Sequence, residues 1–219
     1  MKLQDILRRA TSTFRAQMEH LLREDMHGAL KGEVFMVLKD GATGREQDRR
    51  HIKNLVVRDA SILVARLLKD NQEVGLRSAF VLAVGTGDTG WDPMNPPAPT
   101  DTQRALYSEL TRKRFFQTDF VDPGGLPVGY PTNVVDYTTT FSTSEAVGPL
   151  VEMALLGGNI STNMSIRNPV PTPYGPNSSL AYDAAHNLTM WETELNYLTF
   201  PVVNKPATST LTITWRLTT

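Results

Sequence analysis

Along residues 2–26, Leu3, Leu7, Ala10, Phe14, Gln17 and Leu21 recur at alternating spacings of four and three, and Ile6, Met18 and Leu22 widen the stripe. Charged side chains such as Arg8, Arg15, Arg23 and Glu24 fill the opposite face. That period predicts an amphipathic helix, which lies on its own domain or reaches out as an arm to a neighbour. Gly28 and Gly32 close it, and residues 32–40 then alternate as a strand, with apolar residues on both faces. Residues 41–54 begin with a turn and run polar, which reads as a solvated loop. A second helix is expected from a cap at Asn54 or Asp59 through about Lys69, with Val56, Val57, Ala60, Leu63, Val64, Leu67 and Leu68 facing inward.

The run 78–87 is short, continuously apolar and ends in glycines, as a buried strand does. Prolines 93, 96, 97 and 99 then exclude a ladder strand or helix interior, so this loop must run extended over a surface. Thr100 or Asp101 can cap a third helix through about residue 115, with Ala105, Leu106 and Leu110 inward and Arg112, Lys113 and Arg114 at its carbonyl end. Beyond it, residues 115–122, 134–143, 150–158, 188–200 and 208–218 read as strands. In the last of these, Leu211, Ile213, Trp215 and Leu217 alternate with threonines and Arg216, giving one buried face and one hydroxyl face. The expected fold is α+β, a mainly antiparallel β-sandwich with an N-terminal amphipathic helix and two short packed helices. It divides into a helical arm (1–31) and one β-rich domain (32–219), with a mixed α/β part (32–115) and a Thr-rich β part (116–219).

Charge adds an asymmetry. The net charge is −1, but residues 1–115 carry 19 Lys+Arg and 15 Asp+Glu, whereas residues 116–219 carry 3 and 8. A weakly charged, Thr-rich half suits β-structure whose surface is covered by neighbouring subunits, so assembly is expected. The near-zero balance disfavours an indiscriminate nucleic-acid binder, and no direct nucleic-acid site is evident. With no cysteine there is no disulfide framework, thiol nucleophile or Cys-ligated metal. No apolar run is long enough for a membrane span, and the charged start predicts no secretory leader.

Candidate chemistry is thin. Gly85-Thr86-Gly87-Asp88-Thr89-Gly90 follows a strand, where a phosphate loop would sit, but it opens onto Trp91 and prolines and lacks the Lys and Ser/Thr of a P-loop. It reads as a structural turn. His20, His27, His51 and His186 lack a shared metal-ligand spacing, and no G-x-S-x-G elbow supports a triad. Glu192 and Glu194 share a strand face, which more often means solvated carboxylates than an acid–base pair. The basic run Arg45, Arg49, Arg50, His51 and Lys53 has no interleaved aromatics and suits a solvated loop or contact with an acidic neighbour. No catalytic residue, cofactor or metal is assigned.

Three stretches together resemble tailed-bacteriophage virion proteins of the tail, baseplate, collar and fibre. The first is the Asp40-Gly41-Ala42-Thr43-Gly44 turn followed by Asn54-Leu55-Val56. The second is the apolar strand, Gly-Thr-Gly and Pro/Thr loop of residues 81–115. The third pairs residues 138–158 with 200–218. The loops at 87–100 and between Leu156 and Leu188 are longer than is usual in that class. The resemblance implies a non-enzymatic virion component, made in the host cytoplasm, whose partners are copies of itself and other virion proteins. The alternatives are a host receptor- or glycan-binding fibre module and a capsid decoration protein. The expected contact residues are Leu3, Leu7, Phe14, Leu21, Trp91, Pro96, Pro97, Tyr130 and Tyr174.

Overall fold

In a computed structural model, the structure describes residues 30–57, 60, 61, 63, 64, 77–101, 103, 105–158 and 192–219. Among these, 61% lie in strands and 3% are helical, which replaces the α+β expectation with an almost all-β fold of two antiparallel sheets. The described residues form ten strands: β1 (Lys31–Asp40), β2 (Glu46–Val56), β3 (Arg77–Gly85), β4 (Glu109–Arg114), β5 (Gln117–Val121), β6 (Pro127–Val128), β7 (Val134–Phe141), β8 (Gly148–Gly158), β9 (Glu192–Lys205) and β10 (Ser209–Thr218). The front sheet runs β2-β1-β10-β7-β5-β6 and the back sheet β4-β3-β8-β9; the end of β2 joins them by pairing Leu55 with Tyr197 and Val56 with Asn196.

Between the sheets lies the main core. Val34, Met36 and Leu38 of β1, Phe141 of β7 and Leu211, Ile213 and Trp215 of β10 meet Leu82, Val84, Met153, Leu155 and Phe200 of the back sheet. A second cluster covers the far side of the back sheet, where Val57 and Leu106 lie on Val81, Ala83, Ala154, Leu156 and Tyr197. The back sheet is therefore apolar on both faces, which explains the apolar run of β3 and that of β8, interrupted by Glu152. The front sheet meets the core on one face only, so β1 and β10 alternate in burial, and the other face is mainly polar with Phe35 and Val37 of β1 among threonines and charges.

Two sequence expectations are corrected here. Residues 46–56 form a strand and not a loop, because their alternation is written in polar residues: Asp48, Arg50, Ile52 and Asn54 are half-buried, while Arg49, His51 and Lys53 are exposed. Arg50 is held inward by Asp48 at 2.9 Å and by the carbonyls of Pro201 and Val202, where β9 has no pairing with β2. Asn54–Val56 belong to this strand, so no helix starts at Asn54. Only Ala60, Ser61, Leu63 and Val64 of the expected second helix are described, and they are helical.

The third helix is also replaced. Ala105 and Leu106 are buried in a connection, and Glu109–Arg114 pair with β3 from Val81↔Arg114 to Gly85↔Glu109. Pairing with an apolar neighbour strand outweighs a weak helical spacing. Among the described residues β4 and β6 are the outermost strands of the two sheets; β4 carries Arg112, Lys113 and Arg114, and β6 has two residues, the first Pro127.

Turn chemistry sets the connections. The Asp40–Gly44 turn closes on Asp40 Oδ1, which accepts the Thr43 N–H and hydroxyl, each at 2.8 Å, and Gly44 takes φ +70°. The Thr43 N–H, then its hydroxyl, hold the Asp40 carboxyl below its ordinary range. At the β7–β8 turn, Glu145 accepts Lys113 Nζ at 2.6 Å and the Ser142 N–H at 2.8 Å, and buried Lys205 donates to the Ser142 carbonyl at 2.8 Å.

Candidate functional site

The expected contact residues separate into distinct fates. Leu3, Leu7, Phe14, Leu21 and Tyr174 lie outside the described residues. Trp91 is half-buried, edge-on to the Tyr107 ring at 4.6 Å, and its ring covers Gly87. The proline loop around it is tied to β9: the Pro93 carbonyl accepts the Val202 N–H and the Pro97 carbonyl accepts the Thr199 hydroxyl, both at 2.7 Å. Pro96 and Pro97 are consequently part of the cover over β9. Tyr130 is 60% exposed and stands clear of the cover.

The loop's anchor is a residue that sequence reasoning missed. Glu152, fully buried in β8, receives four donors: the Gly87 N–H at 3.1 Å and Ser108 N–H at 2.8 Å on Oε1, and the Tyr107 N–H at 3.0 Å and Tyr197 hydroxyl at 2.6 Å on Oε2. One carboxylate thus satisfies three backbone N–H groups from two connections that cover the back sheet. Burial, then the charge of Glu152 and its hydrogen bond, push the Tyr197 phenol far above its ordinary range.

Glu152 also accounts for the glycines of the Gly-Thr-Gly motif. A Cβ on Gly85 would stand 2.5 Å from Glu152 Oε1, and Gly87 takes φ +68° beneath Trp91. The motif surrounds a protein carboxylate where a phosphate loop would surround an anionic ligand. The available signal was a lone Glu inside the apolar run of residues 150–156, too far along the chain from Gly87 to be paired with it by spacing.

Large apolar side chains collect on the surface around the β5–β6 hairpin. Phe116, Leu126 and Tyr130 are 65%, 66% and 60% exposed, and Phe120 is also exposed. The hairpin is set by the pairs Phe120↔Val128 and Val121↔Pro127, with Asp122 Oδ1 accepting the Leu126 N–H at 2.9 Å.

The outer face of the front sheet is mainly polar and regular. Thr138 and Thr140 of β7 face Thr214 and Thr212 of β10 with hydroxyls 3.0 and 2.9 Å apart. Phe35 stacks on His51 at 4.3 Å with the Arg216 guanidinium 5.3 Å from its centroid, and Arg216 grips Asp136 through two bonds of 2.7 and 2.8 Å. The Glu192/Glu194 expectation is corrected in part: Glu194 is buried beside Asn196, where a solvated face was expected. A groove of about 480 Å³ opens by the start of β1, lined by residues including Lys31, Glu33, Lys53, Asn54 and Asp101. Among the described residues, no cluster of three or more His, Cys, Asp or Glu is placed to hold a metal ion. No protein-family model matches the chain, and no curated protein matches it.

Proposed function

We propose that this chain is a non-enzymatic structural subunit of a tailed-phage virion, which assembles through subunit contacts in the tail, baseplate or neck/collar region. The observation that carries assembly is the group of large apolar side chains, Phe116, Leu126 and Tyr130, left exposed around one short hairpin. Such residues are worth about 1.5–3 kcal/mol each when a partner covers them. The virion assignment rests on the resemblance in the turn, Gly-Thr-Gly and terminal-strand segments. No catalytic step is assigned to any residue. For the glycan-binding alternative, Tyr130 is 60% exposed, whereas Trp91 is half-buried against Tyr107.

The test has two arms. Light scattering of the purified protein over a range of concentration should give a discrete oligomer, shifted toward smaller species by Leu126→Ser with Tyr130→Ser. Mass spectrometry of density-purified particles should find the chain at a stoichiometric copy number. A monodisperse monomer at every concentration, together with its absence from purified particles, would sink the proposal.

A further inference from the structure

The sheet register arranges charge on the outer face of the front sheet in one row. Lys53 of β2 lies opposite Glu33 of β1, Glu33 opposite Arg216 of β10, and Arg216 opposite Asp136 of β7. Read across four neighbouring strands, the signs run plus, minus, plus, minus. A row of even length with alternating sign becomes its own complement when reversed. A two-fold axis parallel to the strands, between β1 and β10, reverses it: Lys53 of one copy then faces Asp136 of the other, and Glu33 faces Arg216. The next rows of the same face meet without conflict, since Phe35 faces Thr214 and Val37 faces Thr212 under the same operation.

A second observation points the same way. Asp119 of β5 lies directly opposite Asp136, and two like charges so placed are unfavourable in one sheet. The operation that sets Lys53 over Asp136 brings it near both carboxylates. We infer that the outer face of the front sheet docks a second copy of this chain, face to face about that two-fold axis. The inference rests on the assembly reading above and names one of its surfaces, distinct from the β5–β6 hairpin.

Four strands at about 4.8 Å spacing and seven residues at about 3.4 Å rise give roughly 450 Å² of projected face per copy. That lies at the low end for protein contacts, so the pair is weak and its affinity is carried by charge. Symmetry doubles every contact, so Lys53→Glu introduces two repulsions at once and should raise the dimer dissociation constant roughly tenfold or more. Sedimentation equilibrium at low salt and at about 0.5 M NaCl reads the effect, since the higher salt screens beyond a few Å. Lys53 is exposed, so the variant leaves the core untouched.

Geometry is read separately, because the chain has no cysteine of its own. A His51→Cys, Thr138→Cys variant places its thiols three strands apart in one chain, about 14 Å, but opposite each other in the proposed pair. A thiol cross-linker too short for the first distance should give a covalent dimer at low salt. Oligomers that form, ignore Lys53→Glu and yield no cross-link overturn this face as the interface while leaving assembly through other surfaces standing. A monomer under every condition overturns this face and, together with absence from purified particles, the assembly reading as well.

Discussion

Replacing Glu152 by Gln tests the carboxylate anchor with almost no change of volume. The two carboxylate oxygens take two donors each, with bonds of 2.6–3.1 Å. If the amide nitrogen takes the Oε2 position, the Tyr197 hydroxyl can turn and accept from it, but the Tyr107 N–H is left facing a donor. A buried N–H without an acceptor costs about 1–3 kcal/mol, and the surviving bonds lose their charge assistance, at roughly 0.5–1 kcal/mol each. Relief from burying a charge offsets part of this. The expected net is about 2–4 kcal/mol of destabilisation, or roughly 5–15 °C in Tm for a chain of this size. Urea unfolding followed by tryptophan fluorescence should show a lower midpoint at an unchanged slope. Tyr197→Phe should couple to it in a double-mutant cycle, since the two changes share one bond. A Glu152→Gln protein within about 0.5 kcal/mol of the parent would refute the claim that this carboxylate holds the two connections in place.

Gly87→Ala places a Cβ 2.5 Å from the Trp91 ring at φ +68°, so it should destabilise by more than the roughly 1–2 kcal/mol of left-handed strain alone, read from thermal melts. Trp91→Ala should lower stability by about 1–3 kcal/mol through loss of its contact with Tyr107; unchanged stability with altered partner binding would make it a contact residue instead. For Glu145, burial alone would raise the carboxyl pKa, but the Lys113 hydrogen bond and the Ser142 N–H outweigh it and hold it low. Its contribution is therefore full above the unfolded value near 4.5 and disappears as pH falls through the lower folded value, so Lys113→Met should flatten the acid limb of a stability-versus-pH profile.

The strands that the sequence pattern reveals are those whose environment is written in apolarity. β1 and β10 alternate because one face meets the core, and β3 and, but for Glu152, β8 are continuous because both faces are covered. β2 and β4 were hidden for a common reason: their inward positions include Asp48, Arg50 and Asn54 in one, and in the other Lys113, which lies opposite Leu82 and is bonded to Glu145 at 2.6 Å. Charged side chains satisfied by local partners erase the apolar signal on which a period is read. The spacing of Ala105, Leu106 and Leu110 imitates a helix, yet Glu152 captures the N–H groups of Tyr107 and Ser108, which a continuing helix would need. The proline loop was legible as extended cover because proline forbids the alternatives. Its anchor was not, because a carboxylate and the N–H groups that need it are distant in sequence. The charge row was equally hidden, since its members come from four strands and meet only through register.

The outermost strands limit the architectures this protein can build. The arginine and lysine side chains along β4 discourage an incoming strand, and the two-residue, proline-led β6 offers it little backbone to pair with. Growth by strand addition, the route to open-ended cross-β fibrils, is thus disfavoured at β4 and at β6. In the assembly proposed above, contacts at those two strands would run through side chains, and such contacts related by a rotation axis close on themselves at a fixed number.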